Sequence, residues 1–158
     1  PGGAFEGLVD PERIGLVGFS AGGLTTIPIA WEDARVKVEV ALATPVTAPG
    51  FLPLPVPALL VAGELDTTAP PAVAEFFIYA GLAPPRFMAT VASAAHSNFA
   101  TLCQTPYSDC VPGSEPLPVL HARIRRMVRG FVGRYLAGDL RWAALLVATE
   151  GVSLQADP

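Results

Sequence analysis

Three side chains in this 158-residue sequence could together transfer an acyl group: the hydroxyl of Ser20, the carboxylate of Asp66 and the imidazole of His96. Ser20 sits in GLVGFSAGG, residues 15 to 23, where an apolar run stops at a hydroxyl with Gly18 two residues before it and Gly22 two after. A strand that meets a helix through so tight a turn strains the serine backbone, and glycine suits the crowded flanks. The turn also sets the hydroxyl before a helix N-terminus, where the backbone N–H of Ala21 can meet a developing oxyanion. The plain alternative is a strand-to-helix turn that happens to contain a serine. A hydroxyl is a poor nucleophile until a base takes its proton, and the base needs a partner that fixes its tautomer. Of the two histidines, His96 lies in a loop of small residues, SAAHSNF, whereas His121 lies on a helix beside an apolar stripe, where a packing or surface role is the ordinary reading. Asp66, in AGELDTTAP, is the acid candidate, with a turn or helix-cap aspartate as its alternative reading, and Glu64 ranks second.

Each of the three follows an apolar run that must position it. RIGLVGF, 13 to 19, has the pattern of a strand buried on both faces, and the preceding DPE turn supports its start. Residues 21 to 31 predict a helix that Pro28 bends or shortens. RVKVEVALATP, 35 to 45, predicts a second strand and PALLVAG, 57 to 63, a third, buried one. TTAPPAVAEFFIYAG predicts a loop, a cap and a short helix ended by Gly81. RFMATV, 86 to 91, predicts a fourth strand. From 118 onward, Leu120, Ile124, Met127, Val128, Phe131, Val132, Tyr135 and Leu136 fall at helical spacing, with arginines mainly opposite. Strand and helix in turn predict an α/β domain with a mostly parallel sheet and flanking helices. The stretch 101 to 118, dense in Pro, Ser, Asp and Cys, is a long connection of the kind that is functional or covalently tied down.

Composition excludes several other classes. The net charge is -4, and the densest basic cluster, Arg123, Arg125, Arg126 and Arg129, falls on one predicted helix, which argues against nucleic acid as a partner. Apolar runs are broken by Pro or charge well short of the roughly 20 residues of a membrane span, so no stable membrane span is expected. The length suits one domain with a real core. An opening at Pro1 rather than Met, with no signal-like segment, leads us to expect a fragment or a processed chain.

In order, GFSAGG, VAGELDTTAP and AAHSNF resemble the α/β-hydrolase family, whose nucleophile, acid and base follow successive strands as Ser, Asp or Glu, and His. DPERIGLVGFSAGG and RRMVRGFVGRYLAGDLRW are similar to its dienelactone hydrolase-like and platelet-activating-factor acetylhydrolase-like branch, which includes secreted bacterial lipases and esterases. The resemblance spans residues from about 9 to 142. It implies hydrolysis of carboxylic esters through an acyl-enzyme, with Ser20 attacking, His96 taking its proton, Asp66 orienting the imidazole and Ala21 donating to the oxyanion. It implies no cofactor and no metal. The substrate expected is a small-molecule ester, and the apolar TPVTAPGFLPLPVP around 45 to 57 hints that it is apolar, although a Pro-rich connection packed on the core explains that stretch equally well.

The resemblance further implies that residues 1–158 are the C-terminal part of a single α/β-hydrolase domain, a truncated α/β-hydrolase fold whose N-terminal strands and second oxyanion donor lie before Pro1. A serine peptidase of the prolyl-oligopeptidase type and a catalytically inert fragment are the alternatives. Cys103 and Cys110 enclose QTPYSD just after His96. In an exported protein they form a disulfide clamping the loop that carries the base; in a cytosolic one they are two thiols. The disulfide is the favoured reading, and with it a secreted or extracytoplasmic location.

Overall fold

β3 (Ala58–Gly63) lies at the heart of the sheet because its sequence, ALLVAG, offers nothing but apolar side chains and glycine, and all six residues are buried. The structure, a computed structural model, describes residues 3–4, 6–45, 54–100 and 115–158. β3 pairs in parallel with β2 (Val36–Leu42) on one side and β4 (Arg86–Val91) on the other. β1 (Ile14–Phe19) pairs in parallel with β2, and β5 (Val152–Asp157) runs antiparallel along β4, so the order across the sheet is β1-β2-β3-β4-β5. This is the mostly parallel sheet with flanking helices of the α/β-hydrolase type. Since side chains alternate across a pleated strand, each strand feeds two cores. On one face Ala41, Leu60 and Met88 meet Ile27 and Ala30 of α1 (Ala21–Glu32) and Ala74 of α2 (Pro71–Phe77). On the other face Val38, Val40, Leu59, Val61, Phe87 and Ala89 meet Leu120, Ile124, Met127 and Phe131 of α3 (Leu117–Tyr135), the stripe seen at helical spacing.

Several expectations are corrected. β1 is not buried on both faces: it is the outermost strand of the described sheet, and Gly15 and Val17 are exposed, the latter at 52%. Pro28 does not shorten α1, which continues to Glu32; Pro28 is exposed, on the side of the helix away from the sheet. α2 ends at Phe77 and gives way to a separate 3-10 turn, Tyr79–Gly81, instead of running on to Gly81. Between β2 and β3 no helix occurs among the described residues. β5 lies in VSLQAD, a short segment of alternating apolar and polar residues that a search for continuous apolar runs passes over. No helix among the described residues is long and apolar enough to cross a membrane.

Because β1, β2, β3 and β4 all run the same way, their C-terminal ends share one rim of the sheet, where the turns after β1, β3 and β4 converge.

Candidate active site

Ser20 is the single residue between the last residue of β1 and the first of α1, and its backbone is held at φ 54° and ψ -121°. Positive φ is costly for a residue with a Cβ, so surrounding contacts must impose it. Two hydrogen bonds do so: Ser20 N donates to Leu42 O at the end of β2 (2.8 Å), and Gly23 N donates back to Ser20 O (2.9 Å). A side chain at Gly18 would collide with the backbone of Gly22 and Gly23 where α1 folds over β1. The crowding expected at Gly22 is absent, since a Cβ there meets nothing within 4 Å. The second glycine required by packing is Gly23, against which Thr44 is pressed. Thr44 follows Ala43, another residue with positive φ (45°).

Asp66 is set by the turn after β3. Its side chain is fully buried, and its Oδ1 accepts from Thr68 N (2.9 Å) and Ala69 N (2.7 Å), a local turn motif that leaves Oδ2 directed elsewhere. That second oxygen lies 2.9 Å from Nδ1 of His96, and Nε2 of His96 lies 2.8 Å from Oγ of Ser20. A carboxylate can only accept, so Nδ1 carries the proton and donates to Asp66, which leaves Nε2 to accept from the Ser20 hydroxyl. The two readings of Asp66 therefore hold together: it is a turn aspartate and the partner of His96. The imidazole is 14% exposed and lies 5.1 Å, ring to ring, from Phe19, which in turn stacks on Phe99 at 6.3 Å.

The other sequence candidates fall into supporting positions. Glu64 does not face His96 as an acid: its Oε2 accepts from Ser93 N (2.9 Å) in the left-handed turn (Ser93 φ 59°) leading to His96. Leu65 N donates to Ala94 O (2.9 Å), so the acid loop and the base loop are stitched together along their backbones. His121 on α3 reaches Asn98 O with its Nε2 at 2.9 Å, a contact that its place beside an apolar stripe did not reveal. Ala21 supplies the first amide of α1, and the first amides of a helix have no partner within it. Among the described residues no group of three or more His, Cys, Asp or Glu could hold a metal ion. Cys103, Cys110 and most of the connection 45 to 57 lie outside the described residues. A groove of about 340 Å³ between α3 and the end of β2 includes Leu42, Phe99 and His121 but none of Ser20, Asp66 or His96.

One buried carboxyl stands apart from this rim. Glu39 on β2 is fully buried beneath α1, where Oε1 accepts from Thr26 Oγ1 (2.7 Å) and Oε2 has no hydrogen-bond partner among the described residues. Burial pushes its pKa from 4.5 up to about 7, against the smaller, opposing effect of the Thr26 hydrogen bond.

Compared with known proteins, the chain matches over residues 3–153 the family PETase, described as PET hydrolase-like, within the dienelactone hydrolase-like branch of α/β-hydrolases. No curated protein matches it.

Proposed function

The chain belongs to the PETase, PET hydrolase-like family of serine ester hydrolases, and from that premise we propose that it cleaves carboxylic esters through an acyl-enzyme on Ser20. The observation that carries this reading is the unbroken hydrogen-bonded series from Ser20 Oγ through both nitrogens of His96 to Asp66 Oδ2. As the Ser20 oxygen bonds to the ester carbonyl carbon, its proton passes to His96 Nε2, and the carbonyl oxygen becomes an oxyanion met by the Ala21 N–H. Asp66 stabilises the resulting imidazolium through the bond at Nδ1 without taking its proton. Collapse of the intermediate breaks the bond to the alkoxy group, which leaves with the proton from Nε2. Water then repeats the sequence at the acyl carbon, returns the Ser20 hydroxyl and releases the acid.

The substrate proposed is an ester with an apolar body. Phe19 packs beside the imidazole, Phe99 stacks on Phe19, and Leu65, next to Asp66, is 38% exposed. A fluorophosphonate probe together with a p-nitrophenyl ester tests the reading. Wild type should label at Ser20 and release nitrophenolate, and Ser20→Ala should do neither. A folded wild-type chain that does not label overturns the proposal.

A further inference from the structure

A base that must stand 2.8 Å from one group and 2.9 Å from another needs a backbone that does not drift, and His96 opens a 3-10 turn of only four residues, His96–Phe99. What steadies so short a turn can be traced bond by bond. Asn98 is tied in both directions to Ala95, the residue before His96: Ala95 N donates to Asn98 Oδ1 (2.7 Å) and Asn98 N donates to Ala95 O (3.1 Å). Holding Asn98 therefore holds the root of the His96 side chain. The carbonyl of Asn98 is bonded at 2.9 Å by His121 Nε2. A carbonyl only accepts, so this nitrogen carries hydrogen, as it does in the protonated ring and in one of the two neutral tautomers.

His121 itself is well anchored. It follows Leu120, which is fully buried, in the first turns of the 19-residue α3, whose stripe is pinned to the sheet by Ile124, Met127 and Phe131. We infer that His121 is a positioning residue for the reaction proposed above, transmitting the rigidity of α3 to the turn that carries His96 through its bond to the Asn98 carbonyl. The acid loop fixes the same segment from the opposite side, through Leu65 N to Ala94 O and Ser93 N to Glu64. The base is thus held between two elements that the chain reaches more than fifty residues apart.

This inference rests on the esterase reading, and wild-type labelling of Ser20 is the control that separates the two. Its test compares His121→Leu, His121→Asn and His121→Gln in the full chain. Gln places an amide N–H near the position of Nε2, whereas the amide of Asn stops near Nδ1 and falls short. The Leu and Asn variants should lose about tenfold in kcat at a KM within about twofold of wild type, because a displaced base spoils the transition state and not ground-state binding. The Gln variant should return kcat to within about threefold of wild type, with the three proteins equally folded by circular dichroism. If the Leu variant does not fold, the Asn and Gln pair decides. Wild-type kcat in the Asn variant, an equal loss in Gln and Asn, or a loss confined to KM overturns the inference. Absence of labelling in the wild-type chain instead overturns the esterase reading on which it stands.

Discussion

Ser20 is held in a backbone conformation that costs an L residue about 1–3 kcal/mol, and that strain presents its hydroxyl to His96. The neighbouring acids divide their work by geometry. Asp66, buried and already accepting two backbone amides, has one oxygen left for His96, whereas exposed Glu64 spends its carboxylate on the Ser93 amide. Asp66→Asn should therefore lower kcat by about 10³–10⁴-fold, since a side-chain amide disfavours the tautomer in which Nε2 is bare. Glu64→Gln, which keeps an acceptor for Ser93, should leave kcat within about threefold of wild type. Steady-state hydrolysis of a p-nitrophenyl ester checks both, and the reverse ranking would transfer the acid role to Glu64.

At the level of elements, the elbow depends on how closely α1 folds back over β1. Gly18 lies against the backbone of Gly22 and Gly23, and Gly23 lies against Thr44, so Gly18→Ala and Gly23→Ala should each destabilise by about 1–3 kcal/mol through overpacking. Gly22, with open space around it inside a helix, should behave oppositely, and Gly22→Ala should stabilise by up to about 1 kcal/mol through helix propensity. Thermal unfolding of the three variants measures the contrast. A loss at Gly22 matching that at Gly23 would mean that the hydroxyl is held by a different packing.

For the molecule as a whole, stability should vary with pH in a direction set by Glu39. Its unfolded value is 4.5 and its folded value about 7, so between them the folded chain binds a proton that the unfolded chain does not. Stability is therefore highest below pH 4.5 as far as this group is concerned, and is lost as pH rises towards about 7, by about 3 kcal/mol in total. Asp33 acts in the opposite sense: Arg35 lowers its pKa from 3.8 to about 2, so its contribution fades as pH falls through that window, and it is the lesser effect because Asp33 lies at the surface with a largely exposed partner, Arg35, where solvent screens the pair. Glu39→Gln keeps the acceptor for Thr26 and removes the charge, so urea unfolding should show a flatter curve from pH 5 to pH 8 and a more stable protein at pH 8. An unchanged slope would mean that Glu39 reaches water or a partner when ionised.

The parallel sheet was legible in the sequence because β1, β2, β3 and β4 are each marked by apolar or β-branched runs, and the positions of Ser20, Asp66 and His96 just after three of them placed all three on one rim. Their order along the chain, with the glycines around Ser20, was enough to single them out as candidates. β5 was missed although Val152, Leu154 and Ala156 alternate with Ser153, Gln155 and Asp157, because six alternating residues with no continuous apolar run are a weak signal until pairing with β4 fixes them. Nor could the sequence assign Glu64, His121 or Glu39, or say that Gly23 rather than Gly22 must be small. Those roles depend on which backbone amide, carbonyl or side chain a distant segment brings within about 3 Å, and only the packed chain fixes distances of that size.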